Sequence, residues 1–341
     1  MNSPPDPRIY AQVPAESLAG LALDASREGV ALQQTSPGRA LLAAIAEADA
    51  ASLREALARP ASAAAASALE RGIELALASG AGEAVSMHAF AFPIVLVAGG
   101  RAAGEIPGVV PDVGRLRELL ELHGALGQNR NIGLGNALVG VRLLEALPPL
   151  ALRLPAVEGG EDLPLALTAD PVTLETAQER AYLRFLVGAA LTPRDAPTLP
   201  ETAANVAAWG MPWTRALSEQ LAQPGLSLLA IPRPPLSIRR ALAAGRFARN
   251  ELGFQLFLSQ ALREFRSRVG EPAVRIAAHA DATLRIALSS AFDDAVAEYR
   301  WPLEPADDFA AAVAAITDLL RECRLEAVEV LPSIRPAPAS H

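Results

Sequence analysis

The segment GALGQNRNIGLGNALVG, residues 124–140, sets glycines, asparagines and one arginine between two apolar stretches. Backbone amides at a helix start, beside Asn side chains and a guanidinium, are the chemistry of an anion site. On that ground Asn129, Arg130, Asn131, Gly133, Gly135 and Asn136 are candidate ligand-binding residues. A dinucleotide loop needs a strand directly before its glycines and a third glycine three residues on. Here the preceding residues read as helix, and the third position after Gly135 is Leu138. The plainer reading is a helix–loop–helix connection. Gly124 and Gly127 then end one helix, Asn136 caps the next, and Arg130 is the residue to mutate.

A second constellation is cationic. Arg239, Arg240, Arg246 and Arg249, with Arg263, Arg266 and Arg268 further on, make one long helical segment positive in a chain of net charge −8. Such a helix suits a phosphate-bearing partner; the alternative is a solvated face paired with acidic neighbours. His279 and Asp281, with Asp293 and Asp294, are the nearest approach to a metal-like cluster. A strand meander would put the two pairs at opposite ends of its sheet, and a third ligand is missing, so no metal is expected. His88 and His123 lie in no spaced motif, and His123 falls on an apolar helix face, where a structural role is expected. No G-x-S-x-G occurs, which removes the nucleophile-elbow hydrolases.

Composition excludes further chemistries. The chain has 341 residues, and its 30 basic residues are all arginine. Without lysine there is no Schiff base, no ordinary pyridoxal phosphate anchor and no Walker A loop. The single cysteine, Cys323, rules out an internal disulfide and any cysteine-built zinc or iron–sulfur centre within one chain. At a helix end it reads as a packing residue. No cofactor is expected. The acidic balance argues against nucleic acid on a generally basic surface, although a local positive patch stays open. The N-terminus has no signal pattern, and no run of about 18 apolar residues lacks charges or prolines. A cytoplasmic protein with no membrane partner is expected.

These residues must be held by elements that the periodicity predicts. Ser36 and Pro37 open a helical stretch that ends at Pro60, with a break near Asp49. Leu69, Ile73 and Leu77 form the stripe of another helix, closed by Gly80. Residues 90–98 read as a buried strand that Pro93 confines to a sheet edge or a bulge. Val113, Leu116, Leu120 and His123 mark a helix, and NALVGVRLLEAL another. LALRLPAV and LPLALTA read as strands around the turn EGGED. AQERAYLRFLVGAAL is a helix throughout, or a helix feeding a strand over residues 182–191. A helix from Met211, a strand in LSLLAIP and a long helix from Ser237 to Gly270 follow. In TLRIALSS, Leu284, Ile286 and Leu288 alternate with Arg285 and Ala287, the signature of a half-buried strand. It is the middle of three strands, with a helix and a last strand after them.

The order predicts an α+β protein with an Ala-rich helical start and a C-terminal, mostly antiparallel sheet carrying helices on one face. Two domains are expected, 15–155 and 156–332, between tails at 1–14 and 333–341. FAFPIVLVAGGRAAGEIPG, QERAYLRFLVGAAL and ALREFRSRVGEP resemble a bacterial family known as a domain of unknown function. That resemblance carries no chemical motif and implies a cytoplasmic bacterial protein. Two functions stay open. The first is a non-catalytic binding or assembly protein that engages itself, as a homo-oligomer, or a protein partner. The second is an enzyme acting on a small anionic substrate. The missing catalytic signatures favour the first.

Overall fold

The computed structural model describes residues 13–29, 31–79, 85–100, 104–123, 131–151, 172–174, 180–193, 203–223, 226–268, 271–279, 283–290, 296–303 and 309–331. Described residues within Met1–Leu96, Arg101–Ala177 and Leu183–Gly245 form one compact unit; those within Val97–Gly100, Gln178–Tyr182 and Arg246–His341 form another. The chain therefore passes between units inside three secondary-structure elements.

The first unit begins with the Ala-rich helices α1 (Ala15–Arg27), α2 (Ser36–Glu47), α3 (Ala50–Ala58) and α4 (Ala63–Ser79). Small residues let them pack closely, and the predicted stripe Leu69, Ile73 and Leu77 is buried. Gly72 shows how close: a Cβ there would meet the side chain of Ile45. The break near Asp49 is present, and the Asp49 carboxylate accepts from Ser52 N at 2.7 Å to cap α3. The cap of α2 is Thr35, whose Oγ1 accepts from Gly38 N at 3.1 Å; Ser36 is already the first helical residue.

Next come β1 (Val85–Gly100), β2 (Gly104–Ile106), α5 (Val113–Leu122), β3 (Asn131–Val139), α6 (Val141–Ala151), β4 (Val172–Leu174), β5 (Arg180–Pro193), α7 (Ala203–Leu221), β6 (Leu226–Pro232), β7 (Leu236–Ser237) and α8 (Ile238–Arg268). The main sheet runs β3–β5–β1–β6, with β7 also paired to β1. β1 thus lies inside the sheet, not at the edge that Pro93 suggested. The Pro93 carbonyl still bonds, accepting from Arg233 N at 2.8 Å. Phe92 stacks on Trp213 at 5.5 Å and meets Trp209 edge-on at 5.8 Å; all three are fully buried. The two tryptophans are four residues apart on α7, so one helix face delivers both.

The helix–loop–helix reading is overturned over residues 131–139, while 124–130, with Gly124 and Gly127, lie outside the described residues. Residues 131–139 are strand β3, antiparallel to β5, with Leu134 opposite Gly188 and Leu138 opposite Leu186. The register shifts between Leu134 and Leu138. Across that shift the backbone bonds elsewhere: Val110 N donates to Asn136 O and Leu138 N to Gly108 O. These partners are remote in sequence, so the local pattern had no access to them. Asn136 lies within β3 and does not cap α6, which starts only after Gly140, whose carbonyl accepts from Leu144 N. AQERAYLRFLVGAAL likewise holds strand from Arg180, not a helix throughout. Most of LALRLPAV and all of EGGED and LPLALTA lie outside the described residues.

The second unit contains the remainder of α8, then β8 (Ala273–His279), β9 (Thr283–Ser289), β10 (Val296–Pro302), α9 (Phe309–Glu322) and β11 (Val328–Val330). The sheet order is β10–β9–β8–β11, antiparallel except for the β11–β8 pair. Leu284, Ile286 and Leu288 are fully buried, while Arg285 and Ala287 are partly exposed, as the alternation predicts. Phe254, Leu258 and Phe265 of α8 join Ile316 and Leu320 of α9 in the same core. The fold is α+β. No helix among the described residues is long and apolar enough to cross a membrane.

Candidate functional site

The first unit carries an open pocket of about 770 Å³, within the range that small-molecule sites occupy. Five chain segments build its wall. Arg54 comes from α3, Glu70 and Glu74 from α4, His88 from the start of β1, and Arg142 and Glu145 from α6. Ser237, Arg239 and Arg240 come from β7 and the first turn of α8. Leu57, Leu77, Met87 and Leu242 supply apolar surface between these groups. Glu70 and Glu74 share a helix face because they are four residues apart, and Arg142 and Glu145 because they are three apart.

Four guanidinium groups thus stand beside three carboxylates. Arg239 is already committed. Its Nε lies 3.0 Å from Glu70 Oε2, and another of its nitrogens donates to Ser67 Oγ at 2.7 Å. Arg142 is exposed and makes no hydrogen bond or ion pair among the described residues, so it is free to meet an incoming anion. Burial pushes the Glu74 carboxyl above its ordinary range, against the lowering effect of a Ser237 hydrogen bond and of Arg239, Arg71 and Arg240. Burial also raises Glu70, helped by Glu74 and Glu145 and opposed by Arg239. Burial lowers His88, which favours the neutral imidazole. Each shift moves its group toward the uncharged form.

Of the residues singled out in the sequence, Arg239 and Arg240 line this cavity. Arg246 and Arg249 belong to the second unit. Asn129 and Arg130 lie outside the described residues. Asn131 opens β3, Gly133 and Gly135 are buried strand residues, and Asn136 is exposed. The described members of this set thus lie in a strand, and α6 starts at Val141. Arg54, Glu70, Glu74, His88, Arg142 and Glu145 were not recognised as site residues. Their only local signals, the spacings in LERGIEL and VRLLEA, match those of an ordinary solvated helix face.

His279 ends β8 opposite Thr283, while Asp281, Asp293 and Asp294 lie outside the described residues. No group of three potential metal ligands occurs among the described residues. Cys323 follows α9 and packs against the core of the second unit; burial and Glu322 raise its thiol, as suits a packing residue. Comparison of the chain with protein-family models, with curated proteins and with solved structures gives no match.

Proposed function

We propose that the protein is a small-molecule binding protein whose cavity in the first unit takes an organic anion with an apolar body. The observation that carries this reading is the wall itself, where Arg142 makes no hydrogen bond or ion pair among the described residues and Leu57, Leu77, Met87 and Leu242 supply apolar surface. A carboxylate or phosphate head would pair with the guanidinium, and the aliphatic part would cover the apolar wall. Melting curves with hexanoate, hexyl phosphate, acetate and hexanol test it. A ligand at about 100 times its Kd adds ~2.7 kcal/mol of stability, so the two six-carbon anions should raise the melting temperature. Acetate lacks the apolar body and hexanol the charge, so neither should match them. No shift with either six-carbon anion contradicts the proposal.

A second reading is that the same anion is a substrate. It is favoured by Glu74 and His88, a carboxyl and an imidazole in one wall, both shifted toward neutrality by burial. Under that reading Glu74→Gln binds the anion and fails to convert it.

A further inference from the structure

The second unit carries a groove of its own, about 850 Å³, between α8 and β10. We propose that this groove is a separate site for an aromatic anion of the nucleoside-phosphate class. Its aromatic element is the pair Phe257 and Tyr299, with ring centres 5.4 Å apart. Phe254 lies against both, 6.1 Å from Phe257 and 5.3 Å from Tyr299, and is itself fully buried. Phe257 and Tyr299 are only half-buried and line the groove, so ring surface stays available for stacking.

The platform is held in place before any ligand arrives. Tyr299 Oη donates to Asn250 O at 3.2 Å, and Asn250 Nδ2 donates to Pro302 O at 3.2 Å. Asn250 is only 5% exposed, so these bonds are shielded from water. Gly253 completes the arrangement: a Cβ there would lie 2.7 Å from Tyr299 Oη, and its absence lets the ring rest on the helix. A fixed platform loses little freedom on binding.

The charge is of the matching sign. Arg249, Arg263 and Arg300 line the groove against one carboxylate among the described residues, Glu264. Arg249 leans on Asn250 Oδ1 at 3.4 Å, and Arg300 shares Glu298 with Arg285. Arg263 is exposed and has no hydrogen bond or ion pair among the described residues. It lines the same groove six residues beyond Phe257 on α8, ~9 Å along the axis and about 120° around it at 3.6 residues per turn. A ring stacked at Phe257 would thus have its phosphates near a guanidinium able to bind them bidentately.

Calorimetric titration of the full chain with ADP, adenosine and pyrophosphate tests this. ADP should bind at one site, with adenosine and pyrophosphate each at least about tenfold weaker, equal to ~1.4 kcal/mol. Arg263→Ala, an exposed helical substitution, should weaken ADP about tenfold while Arg142→Ala leaves it unchanged. Pyrophosphate binding as tightly as ADP would reduce the groove to a charge patch and overturn the proposal. So would unchanged ADP affinity in Arg263→Ala, loss of ADP binding in Arg142→Ala, or no ADP binding tighter than about 1 mM.

Discussion

Arg239, in the first turn of α8, holds Glu70 of α4 with its Nε 3.0 Å from Oε2. These residues are 169 positions apart in sequence (239 − 70), so the pair forms only when the fold brings the two helices to one wall. Both side chains stay partly exposed, at 41% and 34%, which limits the energy of the pair. A double-mutant cycle with Arg239→Ala and Glu70→Gln should give a coupling of ~0.5–1 kcal/mol. A coupling indistinguishable from zero would mean that the pair does not persist in solution.

Glu74→Gln should stabilise the protein at neutral pH. The folded-state pKa of Glu74 lies above the ordinary 4.5, so the native state holds its proton where the unfolded chain has lost it. Stability contributed by this group is greatest below 4.5 and declines as pH rises through the folded value. The gain from glutamine should therefore be absent below that point and full above the raised pKa. A gain that grows on acidification would contradict the assigned burial. Denaturant unfolding across pH reads the sign directly.

His88 acts in the opposite sense. Its pKa is depressed below 6.5, so the unfolded chain binds the proton first and stability falls as pH drops from 6.5 toward the folded value. His88→Gln should flatten that part of the stability profile. If the wild-type and variant profiles run parallel there, the imidazole is not desolvated.

Gly188→Ala should destabilise the first unit. A Cβ at residue 188 would meet the Phe90 ring and lie 2.8 Å from Gly133 O, and neither the buried ring nor the paired strand has room to yield. Overpacking of this kind typically costs ~1–3 kcal/mol. A variant as stable as the wild type would show that the sheet has more slack than these contacts allow.

What could be read from the sequence follows what is local. Leu284, Ile286 and Leu288 betray β9 because alternation is a property of a few consecutive residues. Leu69, Ile73 and Leu77 betray α4 in the same way. β3 is not legible locally because its glycines and asparagines read as turn and cap signals, while its partners Gly188, Gly108 and Val110 come from elsewhere in the chain. The α6 helix in the same stretch is legible, but a cap at Asn136 puts its first residue four positions too early (141 − 137). The cavity was least accessible to this kind of reading. Glu70 with Glu74, and Arg142 with Glu145, each look like a charged outer face, and only the fold sets them beside residues of α3, β1 and α8. Arg239 and Arg240 stand out because charge density alone marks them, although that density points to a partner surface and not to a pocket wall.

Arg142 carries the central claim, and titration of hexanoate into wild-type protein and Arg142→Ala tests it most directly. Arg142 is exposed, so its removal should leave the ligand-free melting temperature unchanged. The proposed site predicts saturable binding to the wild type and at least about tenfold weaker binding to the variant. Equal affinity for both proteins would contradict it.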